Sequence, residues 1–183
     1  MKLLAIDFET TGLMLHPDAK LPLQPRAIEW GAVLVDEDGT VLEEQSFLIN
    51  PGQEIEAVIT SITGITNEML ADKPRFAEVL PAIRAIMEKA DVLAAHNLPF
   101  DRSILEVELR HEKCEAFPWP QRELCTVQAY QQKWGRRPKL LELYEFVIGV
   151  PLAQTHRALD DVKALAEIII KDRLLDLFEG IHS

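Results

Sequence analysis

Three short stretches carry side chains whose types and spacing could do chemistry. The first is Asp7-Phe8-Glu9-Thr10-Thr11-Gly12-Leu13, which closes the apolar run Leu3-Leu4-Ala5-Ile6. In an extended strand, residues at i and i+2 leave the same face, so Asp7 and Glu9 can converge on one cation. Taken alone, such a pair is more often the solvated end of a strand; the small residues that follow, Gly12 above all, let a ligand approach the backbone closely. The second stretch, His96-Asn97-Leu98-Pro99-Phe100-Asp101, follows the apolar run Val92–Ala95. Asp101 therefore stands at a strand-to-helix junction, where α/β sheets bind ligands. The competing structural roles are helix capping for Asn97 or Asp101 and core packing for Phe100. The third stretch is His156-Arg157-Ala158-Leu159-Asp160-Asp161, leading into Val162, Ala164, Leu165, Ile168 and Ile169. A helix there holds Asp161 in its first turns and leaves His156 on the preceding loop. Helical geometry turns Asp160 about 100° from Asp161, so one of the two faces away from any shared site.

An all-oxygen donor set suits Mg²⁺ or Mn²⁺ far better than Zn²⁺ or Cu²⁺. Two carboxylates about 4 Å apart repel by roughly 4 kcal/mol at an effective dielectric near 20, so such a cluster calls for a cation. Without one, some of the carboxyl pKa values must rise. Cys114 and Cys125 form no Cys-x-x-Cys pair, and no Cys/His set has zinc spacing.

The elements that must position these groups follow from hydrophobic patterning. Strands are expected at Leu3–Phe8, Ile28–Val35, Val41–Ile49 and Val92–Ala95, the second and third joined by a turn at Asp38-Gly39 in an antiparallel meander with the first. Short helical turns fit Thr60–Leu70. A helix carries Phe76, Val79, Leu80, Ile83, Ile86 and Met87, with Pro81 kinking it or marking where its regular part begins. Another helix bears Phe100 to Leu109 and leads to a Pro/Trp loop at Phe117–Pro120. Later helices cover about Thr126–Trp134, Leu140–Ile148 and Ala158–Leu177, the last broken near Asp172. This order implies an α/β architecture, a mixed sheet with helices packed on it.

A length of 183 residues suits one compact domain, and 48% hydrophobic with 27% charged residues favours neither disorder nor fibrous forms. No apolar run approaches the roughly 18–20 residues that span a bilayer, and the N-terminus has no basic region followed by a long apolar stretch. A cytoplasmic protein without a membrane partner is expected. The net charge of −11 argues against wide, nonspecific binding of long nucleic acid, yet allows an enzyme that grips a few terminal nucleotides. Arg136-Arg137-Pro138-Lys139 is the one compact basic run, a solvated loop or a phosphate contact. Trp30, Trp119 and Trp134 could stack on bases, with packing as their default role.

Taken together and in order, Asp7-Phe8-Glu9-Thr10-Thr11-Gly12, His96-Asn97-x-x-Phe100-Asp101 and His156-x-Ala158-x-x-Asp161 resemble the three motifs of the DEDDh (DnaQ-like) family of 3′ to 5′ exonucleases. The resemblance spans Leu3 to about Ile170, so one exonuclease domain is expected over residues 1–183, with a motif-bearing core at about 3–170 and a C-terminal helix or tail at about 171–183. It implies a ribonuclease H-like fold. It also implies two divalent cations, Mg²⁺ or Mn²⁺, on Asp7, Glu9, Asp101 and Asp161, with Asp161 chosen over Asp160 by the motif spacing. His156 becomes the general base, and the products are nucleoside 5′-monophosphates from a single-stranded 3′ end. Thr10, Thr11, Gly12, Leu13, Thr63, Asn97 and Phe100 become the candidates for holding the terminal nucleotide. Ser61-Ile62-Thr63-Gly64-Ile65-Thr66 resembles the family's HGIT segment with Thr63 in place of His, and the loop between Leu13 and Arg26 is several residues longer than usual. DNA is the favoured substrate, with a polymerase or other DNA-processing protein as partner. The alternatives are an enzyme that trims RNA or oligoribonucleotides and a catalytically silent binding module.

Overall fold

The strand that carries Asp7 and Glu9 is β1, Lys2–Thr10, the central strand of a computed structural model that describes residues 1–16, 18–152 and 157–178. β2 (Ala27–Asp36) pairs antiparallel with β1, and β3 (Val41–Leu48) continues the meander. On the other side β4 (Val92–Ala95) lies parallel to β1 but reaches only Leu3–Ala5, and β5 (Arg122–Cys125) lies parallel to β4. The sheet order is therefore β3-β2-β1-β4-β5. The helices are α1 (Ala57–Thr63), α2 (Asn67–Leu70), α3 (Phe76–Met87), α4 (Leu98–His111), α5 (Thr126–Trp134), α6 (Leu140–Ile148) and α7 (Ala158–Lys171), and a 3₁₀ turn at Leu174–Phe178 follows. α3 passes through Pro81 without ending; the ring sits on its exposed side.

β5 is the element that patterning does not announce. It is a four-residue edge strand that opens with Arg122 and Glu123, too short and too charged to show alternation. The other strands lie where the apolar runs put them.

Period-two alternation along β1 builds two cores. Leu4, Ile6 and Phe8 join Trp30, Ala32, Leu34, Leu93 and Ala95 on the face covered by α3 and α4, where Phe8 meets the fully buried Trp30 ring at 4.8 Å. Packing is thus the role of Trp30. Leu3 and Ala5 join Val33, Val35, Val92 and Ala94 on the opposite face, under Val162, Leu165, Ala166 and Ile169 of α7. α7 starts over Gly31 and passes Gly39 at Ile170, so it runs along β2 and against β1. That direction brings the acidic start of α7 to the acidic end of β1. Among the described residues no helix is long and apolar enough to cross a membrane.

Candidate functional site

On the α7 face of β1 the alternation Leu3, Ala5, Asp7, Glu9 changes from apolar to acidic just where α7 begins. Asp161, in the first turn of that helix, completes a trio with Asp7 and Glu9, in which one carboxylate oxygen from each lies within 4.8 Å of the others. All three keep a partly exposed edge. Asp160 is exposed instead, as the helical rotation requires. A register shift against β2 falls between Glu9 and Thr10, a bulge of the kind that re-aims side chains beside active sites.

Asp101 reaches the same place from the other side of the sheet. Because β4 stops alongside Ala5, the later residues of β1 have no strand on that edge. The Phe8 N–H donates to Asp101 Oδ1 at 3.0 Å, and Asp101 is buried. Asn97 stands at the N-cap of α4, as its position suggested, but makes no side-chain capping hydrogen bond, and Asp101 turns to β1.

The electrostatics are those of acids forced together. Burial first, then the charges of Asp101, Glu9, Asp161 and Glu29, push the Asp7 carboxyl well above the usual carboxylate range. Burial, then Glu29 and Asp161, raise Glu9 to about 7. Asp101 is also raised to about 7 by burial, while the amides of Phe8 and of Asp101 itself pull it down and Glu9 adds to the rise. A hard dication bound by these oxygens would remove the repulsion, so the donor set fits one.

The motifs pass over residues that shape this arrangement. Glu29 is fully buried on β2 and is the one acid in the run Ala27–Val35; a lone charge inside an apolar strand is the signal that marks it. Arg157 Nε donates to Glu29 Oε1 at 2.8 Å, and the Ala158 N–H donates to Oε2 at 3.2 Å. Buried Glu108 takes Arg26 Nε and Nη2 at 3.0 and 2.7 Å and the Ala27 N–H at 2.8 Å. With the Thr11 N–H donating to Arg26 O at 2.9 Å, it closes the base of the long loop that follows Leu13.

The candidates for substrate contact fare differently. Thr10 Oγ1 donates to Gly12 O at 2.7 Å, Thr11 Oγ1 accepts the Arg26 N–H at 3.0 Å, and Leu13 is 82% exposed. The Thr63 hydroxyl donates to Ile59 O and accepts the Ile65 N–H, so this buried side chain spends its hydrogen bonds at the end of α1. Phe100 packs partly buried against the core. Asn97 Oδ1 accepts from Arg137 Nη2 at 2.7 Å, which draws the basic run to the second motif. Its neighbour Arg136 is taken by Glu142. His96 faces Pro138 O at 3.0 Å through Nε2 and Thr126 Oγ1 at 2.9 Å through Nδ1, and burial lowers its pKa. A neutral ring that donates from Nε2 and accepts at Nδ1 satisfies both contacts, so His96 braces the basic loop. His156, the expected base, lies outside the described residues.

Comparison with known proteins agrees with this geometry. A DNA polymerase III PolC-type protein of Thermotoga petrophila is 32% identical over 166 residues, which are 91% of this chain and 11% of that protein. The chain thus spans about a tenth of the PolC-type relatives it matches. The DNA polymerase III subunit epsilon of Treponema pallidum is 34% identical over 90% of this chain and 73% of its own length. A solved structure of exonuclease X in complex with 5′-overhanging duplex DNA matches with a TM-score of 0.68 and 26% identity, covering 94% of this chain and 92% of that one. The mixed sheet with its flanking helices is the ribonuclease H-like fold that the motifs implied. The RNase T exonuclease family model matches residues 4–169, so three acidic motifs, one fold and two sets of relatives agree: the chain belongs to this exonuclease family.

Proposed function

We propose that this chain is a 3′ to 5′ exonuclease that releases nucleoside 5′-monophosphates from single-stranded 3′ ends, DNA in preference to RNA. One observation carries the reading: carboxylates from β1 and α7 come within 4.8 Å of each other with Asp101 behind them, in a member of an exonuclease family. Exonucleases of this family use divalent metals, and the oxygen-only donors favour Mg²⁺ or Mn²⁺. Asp7, Glu9, Asp101 and Asp161 would hold two such cations, which when bound would supply charge stabilisation for an in-line displacement at phosphorus.

The chain's own groups do the rest. Asp7, Glu9 and Asp161, whose oxygens converge, would hold one cation, and Asp101 would help to hold the second. His156 accepts the proton of the attacking water, a task suited to an imidazole with an ordinary pKa of about 6.5. The backbone from Thr10 to Leu13, with Asn97 and Phe100, holds the terminal nucleotide. Leu13 offers an exposed apolar side chain to a base, and Arg137, tied to Asn97, offers a guanidinium to a phosphate. Thr63 stays a candidate of the same reading, with its hydroxyl bonded within the chain as those of Thr10 and Thr11 are.

Relatives named as DNA polymerase III epsilon and PolC-type proteins favour DNA as substrate and a polymerase or another DNA-processing protein as partner. The acidic sequence, with a pI near 4.9, suits short single strands or a partner that supplies further contacts. A cytoplasmic setting accords with this activity and with the free thiols of Cys114 and Cys125.

The test is digestion of 5′-labelled single-stranded DNA and RNA side by side, with Mg²⁺, with Mn²⁺ and with chelator, alongside 3′-blocked controls. The expected result is a metal-dependent ladder that starts at the free 3′ end, faster on DNA. Faster decay of RNA would make the chain an RNA-trimming exonuclease, and no release from either polymer would leave a binding module.

A further inference from the structure

A fifth carboxylate stands beside the four acids, and the mechanism above gives it no task. Glu29 lies directly opposite Glu9 across the β1–β2 pair and has no exposed surface. Like charges directly opposite on an antiparallel pair destabilise it, and burying a carboxylate costs far more than burying an apolar side chain of similar size. Packing alone would be better served by Val or Leu, so what the carboxylate holds matters.

Both of its oxygens go to one target. Oε1 receives Arg157 through Nε at 2.8 Å and Nη2 at 2.6 Å, and Oε2 accepts the Ala158 N–H at 3.2 Å. Arg157 is the N-cap of α7 and Ala158 its first residue. Gly31, two residues further along the same face of β2, leaves room for the Ala158–Leu159 peptide to lie against the strand. The amides of Asp160 and Asp161 donate back to Arg157 O at 3.0 and 3.2 Å. One turn of hydrogen-bonded helix thus connects the Glu29 anchor to the Asp161 carboxylate.

We propose that Glu29 is a positioning residue for the cation site: through Arg157 and Ala158 it holds the first turn of α7 on β2, and so keeps Asp161 within reach of Asp7 and Glu9. Glu29 is not one of the acids whose oxygens converge; its own are turned to Arg157 and Ala158. The inference rests on the cation-binding reading of Asp7, Glu9 and Asp161. It adds a residue that the motifs do not contain and a requirement that they do not state.

The test uses the whole chain and Mn²⁺ alone, followed by electron paramagnetic resonance or calorimetry, with amide hydrogen exchange in the metal-free protein and kcat and KM on a DNA oligonucleotide. Glu29→Gln is expected to weaken Mn²⁺ binding by about 10-fold or more, the usual effect of losing a group that orients a ligand. Exchange at Asp160 and Asp161 should quicken, and kcat should fall while KM holds. Arg157→Met should reproduce the loss, and Arg157→Lys, which keeps the charge, should recover part of it. Wild-type Mn²⁺ affinity and kcat in a folded Glu29→Gln would overturn the proposal; if that variant does not fold, the same outcome in Arg157→Met, whose side chain is 43% exposed, does so instead. Failure of the wild-type chain to bind Mn²⁺ would overturn the cation-site reading itself and this inference with it, whereas binding that is lost in Asp161→Asn and unchanged in Glu29→Gln removes this inference alone.

Discussion

Gly31 and Ala158 are in backbone contact: a Cβ at Gly31 would overlap the Ala158 carbonyl and lie 2.5 Å from the Leu159 nitrogen. Neither partner is a flexible side chain that could swing aside. Gly31→Ala must therefore push α7 off β2, and Asp161 with it. The expected cost is about 1–3 kcal/mol, as for other overpacked sites, together with a loss of turnover. Urea unfolding with parallel rate measurements checks this; a variant with an unchanged midpoint and normal turnover would show that the helix start yields without consequence.

Asp7→Asn and Asp161→Asn should lose nuclease activity while remaining folded, because each removes one member of the trio and also relieves carboxylate repulsion. Metal-free melting temperatures should be equal to or above that of the wild type. Asp160→Ala should keep most of its turnover, since that side chain is exposed. A loss in Asp160→Ala as deep as that in Asp161→Asn would mean that both acids serve the site.

Stability without metal should depend on pH with a defined sign. Glu9 and Asp101 titrate near 7 in the folded chain, above the roughly 4.3 and 3.9 of free Glu and Asp. Between those values the folded state keeps protons that the unfolded state has released, so these groups lower stability as pH rises from about 4 through 7. In chelator, the melting temperature should fall over that window more steeply for the wild type than for Glu9→Gln. Saturating Mg²⁺ should flatten the difference, and metal affinity should itself climb with pH as protons leave the site. Identical pH curves for wild type and Glu9→Gln in chelator would remove Glu9 from the coupled set.

His156→Ala tests the general base. Single-turnover rates from about pH 5.5 to 9 should rise with pH in the wild type as the imidazole loses its proton. The variant should lose that limb and about 10²- to 10⁴-fold in rate, with little change in metal affinity. A pH profile that survives the substitution would assign the titrating group elsewhere.

Arg137→Ala should raise KM for oligonucleotides and reduce its dependence on salt if the guanidinium held at Asn97 meets a phosphate as proposed. Equal KM and equal salt slopes would return the basic run to the role of a solvated loop.

Much of this protein was legible before folding, where the physics is local. The i, i+2 spacing of Asp7 and Glu9 puts both on one face of any strand, and the helical period separates Asp161 from Asp160. Apolar runs marked every strand except β5, whose four residues show no period. The tertiary structure alone decided what depends on register and on where elements stop. Asp101 meets the Phe8 amide because β4 ends alongside Ala5 and leaves that edge of β1 open. The Thr63 hydroxyl is bonded to Ile59 and Ile65 at its own helix end, a pairing that its motif position does not announce. Asp161 reaches β1 because Gly31 admits the start of α7 and Glu29 grips Arg157, 128 positions away in the chain. Contacts of that range leave no periodic trace in a sequence, since they are fixed only when strand register and helix docking place remote residues side by side.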